Sequence, residues 1–511
     1  MDLTRRPTEH ERDWFYNGLF SHPKLVARSS FTSFKDGKDS WSSPKKTLAV
    51  VGEHAIVSQW DDEPSPLRSQ ILGILAREKV NWQAIDILRI GYDGEEMPVI
   101  VSISVLADTL SWEMGNQVAF HCRNALVEHG FDDVHCEIKE STLVNLASTP
   151  AVLQQDSHQH RPFLRPYMYE LADQLGTSIA SLDQPRREGT KGIYLRRTGG
   201  DPDEVFALTC RHVCYDESET GCLLPRERSL PGKSVIQLPE RTRKAVVADL
   251  EDLKYQSVKV LRGDGKATGE SYDDKIITEC QQNVNEISAV LQHFTLREAL
   301  EARILGDVAY ASEYAVGSSG LLSDWCLIRL RADSHERRLS ELSNRVYIDG
   351  KELERRFQVL VVLIKDLDQD GTLHIHGIVA ASKPQNPTRF RRLVGMSGRT
   401  SGVTFGEVNQ AKSVVRRISH DGTPLISREV GVVAERMQKY DPFARKGDSG
   451  ACVFDLEGRA VGMVSGGIKR EEVLKEDDDY IHDLPADVTY FTPMESILAD
   501  MKACGLSMEI V

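Results

Sequence analysis

The sequence lacks an excess of positive charge. Its 63 Lys and Arg stand against 77 Asp and Glu, a formal net charge of -14. Nucleic acids and anionic membrane surfaces call for a basic partner, so both are excluded as general targets. Runs of about 18 apolar residues are also missing, and the opening MDLTRRPTEHERDWFYNGLF carries no apolar stretch followed by a small-residue cleavage site. The expectation is a chain that neither enters a membrane nor is secreted, working in the cytoplasm or nucleus. Nine cysteines, an odd and scattered set, provide no disulfide framework and suit reduced thiols. Between residues 47 and 148 neither a glycine-rich phosphate turn nor a lysine-serine pair at P-loop spacing occurs, so no nucleotide loop is expected there.

What is present divides the 511 residues into regions of different texture. Residues 28–46, RSSFTSFKDGKDSWSSPKK, are rich in serine and lysine and nearly free of periodic apolar positions, which predicts a disordered arm over 1–46. LAVVG, SPLRSQILGILAREK, PVIVSISVL, WEMGNQVAFHCRNALVEHG and DVHCEIKES then alternate strand and helix patterns, predicting a small α/β module over 47–150. That module is expected to pack or to bind a partner protein. A short helix near 166–176 leads to many brief apolar runs punctuated by glycine, among them VFALTCRHV, DWCLIRL, FQVLVVLI, GVTFGEVN and ACVFDL, the texture of a sandwich or barrel. Within it, Ile277, Cys280, Val284, Ile287, Leu291 and Phe294 step by three and four, and GDGKATGES interrupts the pattern. That spacing predicts a helical hairpin inserted over 240–310.

The chemistry gathers around KGDSGACVF, where Ser449 sits in a Gly-Asp-Ser-Gly turn. A serine hydroxyl needs a base, a group to orient the base and donors for the oxyanion before it can act as a nucleophile. His212 in VFALTCRHVCYD and Asp324 in LLSDWCLIRL supply candidates, in the chain order His, Asp, Ser. These segments, with GRTSGVTFGEV and VGMVSGG, resemble five motifs of the trypsin and chymotrypsin-like serine protease family, most closely its intracellular, disulfide-free members of fungal and bacterial type. The resemblance spans roughly 172–500. It implies a mainly β protein with a chymotrypsin-like double antiparallel β-barrel over 165–511, the helical hairpin inserted in its first half, and the α/β module ahead of it.

By the same resemblance Ser449 would attack a peptide carbonyl, His212 would carry the proton, and Asp324 would orient the imidazole. The N–H groups of Gly447 and Ser449 would form the oxyanion hole. Ser465, Gly466 and Gly467 would line the substrate cleft. Phe443 falls at the base of the specificity pocket by simple offset, with Asp441 close enough to replace it there. YFTPMESILADMKACG resembles the closing helix of the family, with Ile497, Leu498 and Met501 toward the second barrel. The substrate would be a protein or peptide, and no metal or other cofactor is implied.

Competing readings exist for several of these residues. His212 with Cys210, Cys214 and Cys222 could ligate zinc, although Cys-x-His-x-Cys is not a common ligand spacing. His374 and His376 alternate on one strand face, which suits a solvated surface. The acidic run KEDDDYIHD reads as a solvated loop. The chain as a whole could also be a protease-like binding protein without activity, or an esterase using the same three residues.

Overall fold

The computed structural model describes residues 6–37, 43–146, 164–262, 273–335, 337–348, 364, 367–368, 371–379, 393–435, 441–470 and 484–511. Most of FQVLVVLI, the GDGKATGES break and the acidic run lie outside these residues. The protein is mainly β, built on two large sheets. Among the described residues no helix is long and apolar enough to cross a membrane.

The eight-stranded sheet runs in the order Met508–Ile510, Tyr194–Arg197, Val205–Cys210, Trp325–Leu330, Ile304–Ala311, Ser234–Gln237, Ser178–Ser181, Glu188–Thr190. Val205–Cys210 lies inside this sheet, between Tyr194–Arg197 and Trp325–Leu330, and is buried throughout, so the chain leaves it toward the interior at His212. Thr209 pairs with Cys326 and Cys210 with Trp325, a register that brings the residue before Trp325, Asp324, beside the turn holding His212.

Six strands of the second sheet close on themselves. Pro424–Ala434, Gly402–Val408, Leu393–Gly398, Cys452–Asp455, Ala460–Lys469 and Val488–Pro493 pair antiparallel in that order, and the last pairs back with the first. Closure pairs most strand edges within the barrel, but Gly466–Lys469 runs past Cys452–Asp455 and leaves an edge for another strand. One core cluster holds residues of both sheets, including Leu208, Leu327, Phe405, Phe454 and Met463. The helix Met494–Ala503 buries Met494, Ile497 and Met501 in this shared cluster, with Leu498 partly buried. Its Asp500 accepts from Ser323 Oγ and, at 2.7 Å, from Trp325 Nε1, so it serves both sheets and not the second alone.

The amino-terminal elements extend the same sheet. Val414 and Val415 of the hairpin strand Ser413–Ile418 pair with Ile85 and Ala84 of Trp82–Tyr92. That long strand is absent from the sequence reading, because Asp86 and Arg89 interrupt its alternation. Asp86 is nevertheless buried, and the Tyr490 hydroxyl donates to it at 3.0 Å. Helices Pro66–Arg77 and Trp112–Glu128, started by the side chains of Ser65 and Ser111 accepting from Arg68 N and Met114 N, cover one face of the sheet. On the other face Ala84 and Leu88 meet Val433, Val488 and Tyr490.

Two expectations need correction. The arm at 1–46 is not disordered across 6–37: Glu9–Trp14 is a helix, Lys24–Arg28 pairs with His135–Glu140, and Phe15, Tyr16 and Leu19 are buried. Its few apolar residues lack a helical or strand period because each fills a gap beside an existing sheet. The helical insertion also ends before 310. Helices Glu240–Leu261 and Asp274–Leu296 pack through Val246, Leu250, Ile287, Val290 and Phe294, whereas Ile304–Ala311 is a strand of the eight-stranded sheet. Ile277, at the start of the expected seam, remains exposed.

Candidate active site

Cys210 ends a strand, and Arg211–Cys214 form one helical turn behind it. This turn replaces the extended Cys-x-His-x-Cys geometry that would put three ligands on one face. Its ring is gripped from one side: Asp324 Oδ1 accepts from His212 N at 3.0 Å and Oδ2 lies 2.5 Å from His212 Nδ1. With Nδ1 protonated toward the carboxylate, Nε2 is left to accept, and Ser449 Oγ stands 2.8 Å from it. His212, Asp324 and Ser449 are all buried.

Cys210, His212 and Asp324 have ligand atoms within 4.8 Å of one another, while Cys214 and Cys222 lie outside that group. The Cys210 thiol donates to Val464 O at 3.1 Å, and burial pushes its pKa up, which disfavours the thiolate a metal would need. Arg211 turns away from the histidine, its guanidinium donating to the carbonyls of Glu219 and Gly221 beside the Tyr215 ring.

The loop carrying Ser449 is shaped by backbone constraints. Gly447 has φ 107°, in the region open to glycine, and a Cβ there would lie 2.2 Å from Thr400 Oγ1. Thr190 Oγ1 donates to Gly447 O at 2.8 Å, and Thr400 Oγ1 donates to Lys446 O at 2.7 Å. Asp448, which the sequence reading passed over, is wholly buried. Its carboxylate accepts from Arg445 N, Thr400 N, Ser401 N and Ser401 Oγ. Burial pushes this carboxyl up in pKa, and the donors pull it back. Arg399 reaches from the same hairpin to the buried Glu188, and the Thr242 hydroxyl of the first insertion helix bridges them, donating to Glu188 at 2.9 Å.

The expected cleft residues lie together on Ala460–Lys469. Ser465 is buried with its Oγ toward Tyr490 O, and Gly466 and Gly467 pair antiparallel with Asn145 and Val144 of the strand Thr142–Asn145. The next residue, Leu146, points its carbonyl at the loop carrying Ser449, where both Gly447 N and Ser449 N donate to it, the second at 3.4 Å. Its side chain is buried in a cluster with Phe443, Ala444, Val394, Met396, Val432, Val453 and Val464. Phe443 thus belongs to the buried apolar cluster that holds Leu146, and Asp441 is part-exposed. Nothing in TLVNL distinguishes it from an ordinary strand of the amino-terminal module, so no local signal could have revealed its position. His374 ends a short strand with its side chain exposed, and His376 lies beyond that strand.

No protein-family model matches the chain, and no curated protein matches it. Among solved structures, the chain is similar to the crystal structure of Rv3671c protease from M. tuberculosis in its active form. The identity is 12%, over 71% of this chain and 97% of that chain, with a TM-score of 0.25, a likeness too slight to carry an argument about function.

Proposed function

We propose that the protein is a serine endopeptidase of chymotrypsin-like, two-barrel architecture, acting through Ser449, His212 and Asp324. The observation that carries this reading is the continuous line from Asp324 through His212 to Ser449 Oγ, ending beside two N–H groups that already hold a carbonyl oxygen. In this reading Ser449 Oγ attacks the substrate carbonyl carbon while His212 Nε2 takes its proton. The oxyanion that forms is held by the N–H groups of Gly447 and Ser449. Collapse expels the amine, protonated by His212, and leaves an acyl-serine. Water then adds to the acyl carbon, giving its proton to His212, which returns it to Ser449 as the ester breaks. Asp324 stays ionised and stabilises the imidazolium.

The burial of Leu146 in an apolar cluster with Phe443 supports preference for an aliphatic side chain before the cut. A fluorophosphonate probe tests the reading, since it bonds covalently to an activated serine. Labelling of the parent and its loss in Ser449→Ala is the expected result; equal labelling of both would refute it. One observation favours a second reading, a protease-like binding protein without turnover: the cleft is filled by residues 142–146. Under that reading no variant that empties the cleft gains labelling.

A further inference from the structure

The occupant of the cleft is bound as a substrate would be. An acyl donor for Ser449 must run beside the strand carrying Ser465 to Gly467, bury one side chain in the apolar cluster, and direct that residue's carbonyl oxygen at Gly447 N and Ser449 N. Residues 142–146 do all three. Thr142, Leu143, Val144 and Asn145 pair with Lys469, Ile468, Gly467 and Gly466 in antiparallel register. Leu146 is buried in the apolar cluster that includes Phe443 and Val464, and its carbonyl accepts from both donors.

The cleft is fitted to this strand in further ways. A Cβ on Gly466 would lie 2.9 Å from Val144 O, so glycine permits the close approach. The Asn145 side chain donates to Glu217 at 3.0 Å. Delivery is built in as well. The strand follows His135–Glu140 of the amino-terminal sheet with only Ser141 between, and Ser141 N is tied to Val105 O.

We infer that the protein is its own first substrate and that Ser449 cuts the peptide bond joining Leu146 to Ala147. The inference rests on the hydrolase reading above. Ser449 Oγ bonds to the Leu146 carbonyl carbon as its proton passes to His212, and the Leu146–Ala147 C–N bond breaks as that proton moves to the departing amine. Water then releases the Leu146 carboxyl group and restores the Ser449 hydroxyl, so the net change is hydrolysis of one peptide bond. The two pieces stay associated. Trp60 Nε1 donates to Lys412 O, Asn409 receives Val51 N and donates to Ile87 O, Ser21 is bound to Asp487, and the Ile85–Val414 ladder spans the junction.

The experiment follows the full chain made as parent, Ser449→Ala, Leu146→Asp and Leu146→Gly. Each is examined by intact mass under denaturing conditions, by native gel filtration and by fluorophosphonate labelling. The parent is expected to split into 1–146 and 147–511, with Ala147 as a new amino terminus, at a rate independent of protein concentration, and to elute as one species. Ser449→Ala stays whole. Leu146→Asp, whose carboxylate does not suit the apolar cluster, stays whole yet labels at least about tenfold faster than the parent because its cleft is open. Leu146→Gly, which adds no charge, is expected to be cut at least about tenfold more slowly than the parent and serves if the aspartate variant fails to fold. A whole parent beside a labelling Leu146 variant would overturn self-cleavage and leave the hydrolase reading standing. Cutting of Ser449→Ala at the same bond would also overturn self-cleavage. A whole parent with no labelling in any variant would overturn both.

Discussion

Gly447→Ala puts the proposed oxyanion site under a load that the structure lets one size. At φ 107° an alanine occupies a region that costs about 1–3 kcal/mol for a residue with a Cβ. The new methyl would meet Thr400 Oγ1 at 2.2 Å and Arg399 Nη1 at 3.0 Å. Neither atom can retreat freely, because Thr400 Oγ1 donates to Lys446 O and Arg399 is bound to Glu188 and Thr242. The loop must therefore move, and the Gly447 N–H moves with it. Loss of one such donor costs about 10²–10³-fold in rate, or about 2.7–4 kcal/mol at the transition state. Gly422→Ala is the control, since Gly422 also has a positive φ, of 83°, but a Cβ there meets nothing within 4 Å. The assay is the second-order rate of fluorophosphonate labelling with a thermal melt beside it, both in the Leu146→Asp background where the cleft is free. Gly447→Ala is expected to label about 10²–10³-fold more slowly while the control keeps the background rate. If Gly447→Ala stays folded and labels within about threefold of the control, the assignment of this N–H to the oxyanion is wrong.

Three further outcomes are expected. In that background, His212→Ala and Ser449→Ala should each abolish nearly all labelling, and the double variant should be no worse than either alone, measured by probe incorporation. Shortening the distal ends of the two insertion helices should leave labelling within about threefold, whereas removing the insertion together with Thr242, or Thr242→Val alone, should slow it, because the Thr242 hydroxyl joins the insertion to Glu188 and Arg399 beside the loop carrying Ser449. For pH, burial lowers Lys191 to about 8, against about 10.4 unfolded. Between those values the unfolded state binds more protons, so stability rises with pH by up to about 1.4 kcal/mol per unit. Lys191→Met should remove that rise in urea unfolding at pH 8 and 10, and an identical slope in parent and variant would contradict it.

The sequence by itself determined what lies within about ten residues of each landmark. The alternating strand texture, the three-and-four spacing from Ile287 to Phe294, and the segments around His212, Asp324 and Ser449 are legible because side-chain periodicity and turn chemistry are local. The need for glycine at 447 was likewise legible in the tight turn. Tertiary structure alone decided the rest. Phe15 and Tyr16 sit in a charged, short lead with no period of their own and are buried because they pack with Leu19 and Leu25 against Ile90 and Ile100 of the sheet. Asp86 reads as a break in a strand until Tyr490 satisfies it from the far half of the chain. Thr142–Leu146 carries the pattern of an ordinary strand, and a strand's pairing partner is set by which edge is free and which pocket matches, not by its own residues. The meeting of Leu146, Gly447 and Gly466 joins distant parts of the sequence, and its stability comes from many weak contacts that exist only after both sheets have assembled.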